Sequence, residues 1–160
     1  MSLDAFVFCD CFERGRLKEP PPAGCRIVVG TDGSVENVGE KTPEGALAFD
    51  DWRWYRMCEH PEGILLHHRI GNIALVSILR AELRRFPDRF PMILSKVVYN
   101  GIHASDFIPA QDVERLRPEL KALAEVHSKD ANVEWFLRSF EMQMSELVDC
   151  ALRVDKPISF

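Results

Sequence analysis

An α+β fold is predicted by three features of this 160-residue chain. Extended, β-type runs crowd its first third, helical periodicity takes over from His67 onward, and the two kinds of segment do not alternate as they would in a parallel sheet wound by crossover helices. The expected architecture is an N-terminal, mainly antiparallel sheet of about three to five strands, with a C-terminal set of helices packed on one face and everything in a single domain, 1–160. With 46% hydrophobic and 28% charged residues the composition is that of an ordinary folded protein, and the length suffices to bury a core without disulfide support.

Leu3 to Phe12 alternates loosely between apolar and polar residues and is rich in Phe and Val, which predicts a strand with Cys9 and Cys11 projecting from one face. Gly15 and the run Pro20–Pro22 then block both helix and central sheet, so the following stretch is a stiff surface connection. Ile27–Val29, the turn residues Asp32-Gly33, and Val35–Val38 form the clearest hairpin signal in the chain. GEKTPEG reads as a loop, and Trp52 and Trp54 flanking Arg53 read as an extended segment whose aromatic face packs on helices.

His67 to Phe86 is expected to be the central helix, buried on most of its circumference because Ile73, Ala74, Leu75, Val76, Ile78 and Leu79 point in nearly every direction at about 100° per residue. Its entrance would be the polar shoulder His67, His68, Arg69 and Asn72. A short helical turn is expected around Met92–Val98, then a loop carrying Tyr99, Gly101, His103 and Asp106. Val113, Leu116, Leu120 and Leu123 recur at helical spacing, with Pro118 kinking the helix or opening a second segment. Val133, Leu137, Phe140, Met144, Leu147, Ala151 and Val154 mark the most regular helix, with Asp130 or Asn132 as its N-cap. That stripe could pair two chains across 131–154, but an intramolecular pack uses the same face and is the expectation. Past Pro157, the terminal residues would return as an edge strand.

A formal charge of −5 argues against nucleic acid, whose phosphates demand Lys and Arg, and leaves room for a basic protein partner. No stretch is long and apolar enough to span a bilayer, and the N-terminus carries no secretory pattern, so the expected location is the cytoplasm. There the five cysteines should be reduced.

Two groups of residues could carry function. Cys9-x-Cys11 with Cys58-x-His60 could form a tetrahedral Cys3His zinc site, the alternative to buried free thiols with no cofactor. A thiol enzyme would instead use Cys58 or Cys11 with His60, His67 or His103 as base and Asp106 or Asp10 orienting it. The second group is the helix mouth, where His68 or Arg69 should reach His103 or Asp106 as a structural brace or as half of a ligand pocket. Its candidate residues for a ligand or partner are His67, His68, Arg69, Asn72, Tyr99, His103 and Asp106. Signatures that specify a reaction, such as Gly-x-Ser-x-Gly or His-Glu-x-x-His, do not occur in the sequence, so no catalytic residue is assigned.

CDCFERGRL, the triple proline, CEH, HRIGNIALV and YNGIHASD together resemble a pattern in a group of small bacterial proteins that carry no established activity. The resemblance covers most of the chain and implies a bacterial, cytoplasmic, single-domain protein. In size, acidity and α+β layout the chain is also similar to immunity proteins that neutralise bacterial toxins, a likeness of physical character. The leading expectation is a non-enzymatic binding protein with a basic partner; the alternative is a metal-dependent or Cys/His thiol enzyme acting on a small substrate.

Overall fold

A computed structural model describes residues 2–39, 42–101, 103 and 105–160. Strand β1 (Ser2–Phe8) is the hub of the sheet, and its alternation turns Leu3, Ala5 and Val7 into the core while the intervening residues stay half-exposed. Along one side it pairs with β4 (Ile64–Asn72), setting Asp4 opposite Arg69, Ala5 opposite His68 and Phe6 opposite His67. On the other side lies the C-terminal β6 (Ile158–Ser159), and beyond it β5 (Phe107–Ile108). The four strands are antiparallel in the order β4-β1-β6-β5. The fold is thus α+β, although two of the four strands come from the second half of the chain.

The terminal strand is not at an edge, because Ile158 and Phe160 are too apolar to be left there and are buried between β1 and β5. A separate hairpin of β2 (Ile27–Val29) and β3 (Val35–Asn37) closes through the expected Asp32-Gly33 turn, where Gly33 takes φ 88°. Its turn is tied to the sheet by the Ser159 hydroxyl, which donates to the Asp32 carbonyl at 2.7 Å.

Helix α5 (Ala131–Val154) starts at Asp130, whose carboxylate accepts from the amides of Asn132 and Val133, and it buries Phe136, Leu137, Phe140, Met144, Leu147, Val148, Cys150 and Ala151. It packs against β1, β4 and β6, so the apolar stripe that could have joined two chains is covered within this one. Pro118 falls in the first turn of α4 (Leu116–Leu123), after the short α3 (Ala110–Val113). Amides of a first turn have no intrahelical partner, so the proline costs the helix nothing there.

Two expected elements are corrected. His67–Asn72 belongs to β4, and the helix begins only afterwards, as α2 (Ile73–Leu83), with the Asn72 side chain capping the Leu75 amide at 3.0 Å. Pairing with β1 overrides helical periodicity here. Only Val76, Leu79 and Leu83 of α2 are fully buried, and Ile73 remains 64% exposed, so it is an ordinary one-sided helix. Trp52–Arg56 is likewise helical, a π-turn extending α1 (Pro43–Asp51). Its entrance was written in the sequence as Thr42-Pro43, an N-cap hydroxyl followed by proline at the first helical position.

A small second core lies beyond the end of β1, where Cys9, Cys11, Val35, Phe49, Trp52, Met57 and Cys58 pack together. Among the described residues, no helix is long and apolar enough to cross a membrane.

Candidate functional site

Among the described residues, three places gather chemically capable side chains. The first is the small core. Cys9 leaves β1 with its amide donating to the Gly63 carbonyl at 2.8 Å, and Cys11 lies in the helical turn that follows, where the Arg16 amide donates to its carbonyl at 2.8 Å. Cys58 follows the π-turn, and the Lys18 amide donates to Met57 at 2.9 Å, fastening the loop after Cys11 to the segment that bears Cys58. All three thiols are buried and their sulfurs lie within 4.8 Å of one another, with Cys9 and Cys58 Sγ 3.7 Å apart. Burial pushes the Cys9 and Cys11 thiols up from their ordinary range, which keeps them protonated and poor as nucleophiles. Between them the Asp10 carboxylate, for which burial alone would work in the other direction, is held below its usual range by ion pairs with Arg14 and Arg16. His60 stays outside the thiol group; its contact with it is the backbone carbonyl, 3.5 Å from the Cys58 sulfur.

The expected helix mouth is replaced by strand geometry. His67 points to the outer face and pairs with Asp4 at 3.2 Å, while His68 points the other way and reaches Glu146 of α5 at 2.7 Å. The Arg69 carbonyl accepts from Gln143 at 3.4 Å. Tyr99, His103 and Asp106 gather instead on the lead into β5, past the end of β6, where Tyr99 and His103 face Ser2 and Leu3 of β1 and the first turns of α2. Among the described residues, no contact joins His68 or Arg69 to His103 or Asp106.

That second cluster is compact. The Tyr99 hydroxyl donates to Asp106, the Tyr99 and His103 rings stand 4.2 Å apart, and Asp106 is fixed by backbone bonds to His103 and Phe160 at 2.9 Å. A Cβ on Gly101 would collide with the Tyr99 ring, which is the close approach that a glycine permits. Together with Ser77 and Arg80 of α2, Tyr99 and His103 line a cavity of about 50 Å³. His103 is driven below the ordinary histidine value by burial, with Asp106 opposing and Arg80 reinforcing. A depressed histidine contributes stability that is present above its unfolded pKa and lost as pH falls through its native one. In a proton NMR titration, His103 should therefore titrate below a model histidine, and Arg80→Ala should raise its midpoint; a midpoint above the model value would contradict this.

The third place is a groove of about 300 Å³ between β4 and α5, to which Arg69, Asn72, Trp135, Ser139 and Gln143 contribute. β4 is hydrogen-bonded to β1 on one side only. Trp135, Ser139, Met142 and Glu146 of α5 are spaced to share one helix face, of which Trp135 and Ser139 line the groove and Glu146 reaches His68 of β4. Trp135 is 70% exposed and Met142 is 55% exposed. The sequence hint to this face was the tryptophan, which interrupts the polar side of an otherwise regular amphipathic helix. Comparison with family models, with curated proteins and with solved structures gives no match for this chain.

Proposed function

We propose that the protein is a non-enzymatic cytoplasmic binding protein whose partner is a basic protein, engaged along the free edge of β4 and the outer stripe of α5. The observation that carries this reading is Trp135, a large indole left in solvent over a groove beside an unpaired sheet edge. Tryptophan is among the side chains most enriched at the anchor positions of interfaces. β4 has a strand neighbour on one side only, and apart from the Arg69 carbonyl, which Gln143 reaches, its other side can take an extended segment of another chain. Charge supports the choice of partner: α5 carries Glu134, Glu141, Glu146 and Asp149 against Arg138 and Arg153, and the chain as a whole is −5. Such a field speeds and selects the encounter with a basic surface. Immunity-like neutralisation of a basic toxin is one form this binding would take.

Capture of partners from the native host by the purified chain, followed by titration of the recovered protein, tests the proposal. Trp135→Ala should weaken binding by at least ~30-fold, as loss of a ~2 kcal/mol anchor would, while leaving the melting temperature unchanged because the indole is exposed. Binding should also weaken as salt rises. Equal capture by Trp135→Ala and wild type, or turnover of a small molecule with no partner recovered, would favour the thiol or metal enzyme instead.

A further inference from the structure

We infer that Cys9, Cys11 and Cys58 form a three-thiolate binding site for zinc, with the fourth position of the metal left to a water or an exogenous ligand. The site is separate from the proposed partner face and does not depend on it.

The geometry points there first. Zinc bound tetrahedrally by thiolates has Zn–S bonds of about 2.3 Å, which places the sulfurs about 3.8 Å apart. Cys9 and Cys58 already meet at 3.7 Å, and the third sulfur lies within the same 4.8 Å group. The three come from segments 49 residues apart, yet each is fastened through the backbone: Cys9 to Gly63, Cys11 to Arg16, and the loop after Cys11 to Met57. Packing alone is served by any small apolar side chain, and one disulfide would use only two sulfurs. Three sulfurs within 4.8 Å of one another have a spacing that one tetrahedral metal can span.

Electrostatics is the second support. Binding replaces three S–H bonds with three S–Zn bonds and releases three protons to solvent, with no change of oxidation state. The resulting zinc tris-thiolate carries one negative charge. Arg14 and Arg16, partly offset by the Asp10 carboxylate they both pair with, supply one net positive charge on the turn that carries Cys11. A high resting thiol pKa is compatible, since the metal displaces the proton outright.

The test uses the full chain, reduced and stripped of metal, titrated with Co²⁺ and then Zn²⁺. One Co²⁺ per chain is expected, with thiolate-to-cobalt charge-transfer absorption that Zn²⁺ abolishes. At neutral pH in weak buffer, about three protons should be released per zinc. Cys9→Ser, Cys11→Ser and Cys58→Ser should each weaken the metal by more than ~100-fold, the upper range for loss of even an outer-shell group, whereas Cys25→Ser and Cys150→Ser should bind like wild type. Should a triad variant fail to fold, the wild-type stoichiometry and proton count still decide. Absence of the charge-transfer band in the reduced wild type, its survival in Cys9→Ser and Cys58→Ser, or binding of Cu(I) alone would overturn the assignment.

Discussion

Glu119→Ala is expected to lower the unfolding free energy by about 2–4 kcal/mol, because it strips one buried and one partly buried backbone amide of a carboxylate acceptor at a cost of roughly 1–3 kcal/mol each. Glu119 lies in α4 with 7% exposure, and its carboxylate accepts from the amides of Met92 and Ile93, each at 2.8 Å. Those amides open the π-turn Ile93–Val97 after Pro91, where a helical segment has no internal partners for its first donors. A side chain from another helix thus does the work of an N-cap. Burial pushes its carboxyl up, against the pull of the two amides and Arg115. For an acid whose native pKa is raised, the stability contribution is full below the unfolded pKa and is lost as pH rises through the native value. The gap between wild type and Glu119→Gln should therefore narrow as pH rises across that window. Urea melts at several pH values would measure both effects, and a loss under ~1 kcal/mol for alanine would mean that water replaces the carboxylate.

Local signals predicted local structure well. The Asp32-Gly33 hairpin, the Asp130-capped α5 and the break at Pro118 each rest on neighbours within a few residues, and each is present. What failed depended on distant partners. HHRIGN has helical residues after it and carries a polar alternation that suits a half-buried strand, but only the presence of β1 decides between the two. Ile158–Ser159 looked like an edge because nothing in its own sequence tells that β5, two residues long, would lie beyond it. For Trp52–Arg56 the local signal is Thr42-Pro43, whose capping chemistry starts the helix and outweighs the strand preference of the aromatics that follow.

The candidate sites show the same division. Cys9-x-Cys11 and Cys58 could be named from the sequence as potential neighbours, and the structure gathers all three; His60 was grouped with them on spacing alone, and its ring is outside the group. The brace between His68 or Arg69 and the 99–106 loop presumed a helix entrance, so it disappeared with that entrance: His68 is taken by Glu146, and Asp106 by Tyr99. Trp135 has no signal in the helical periodicity, which marks the buried stripe of α5 and is silent about its exposed face.

Glu13→Ala is expected to cost more stability than Lys156→Met, although both remove the same ion pair. Lys156 is only 4% exposed, and its Nζ pairs with the Glu13 carboxylate and lies 3.4 Å from the Gly33 carbonyl, so it joins the turn after Cys11, the hairpin and the lead into β6. Deleting Glu13 leaves a buried ammonium with one distant carbonyl; loss of a buried partner costs 3–5 kcal/mol, reduced here to about 2–3 kcal/mol because the Glu13 side chain is itself 39% exposed. Methionine at 156 fills nearly the same volume without a charge to desolvate, and it leaves behind a carboxylate that can turn to water, so its cost should stay within ~1 kcal/mol. Adding Glu13→Ala to Lys156→Met should then change little. Chemical denaturation of the two single variants and the double variant measures the coupling directly. Equal losses from both single variants would mean that the pair is net stabilising in its own right, and that the buried charge is favourable where an apolar side chain of the same shape is not.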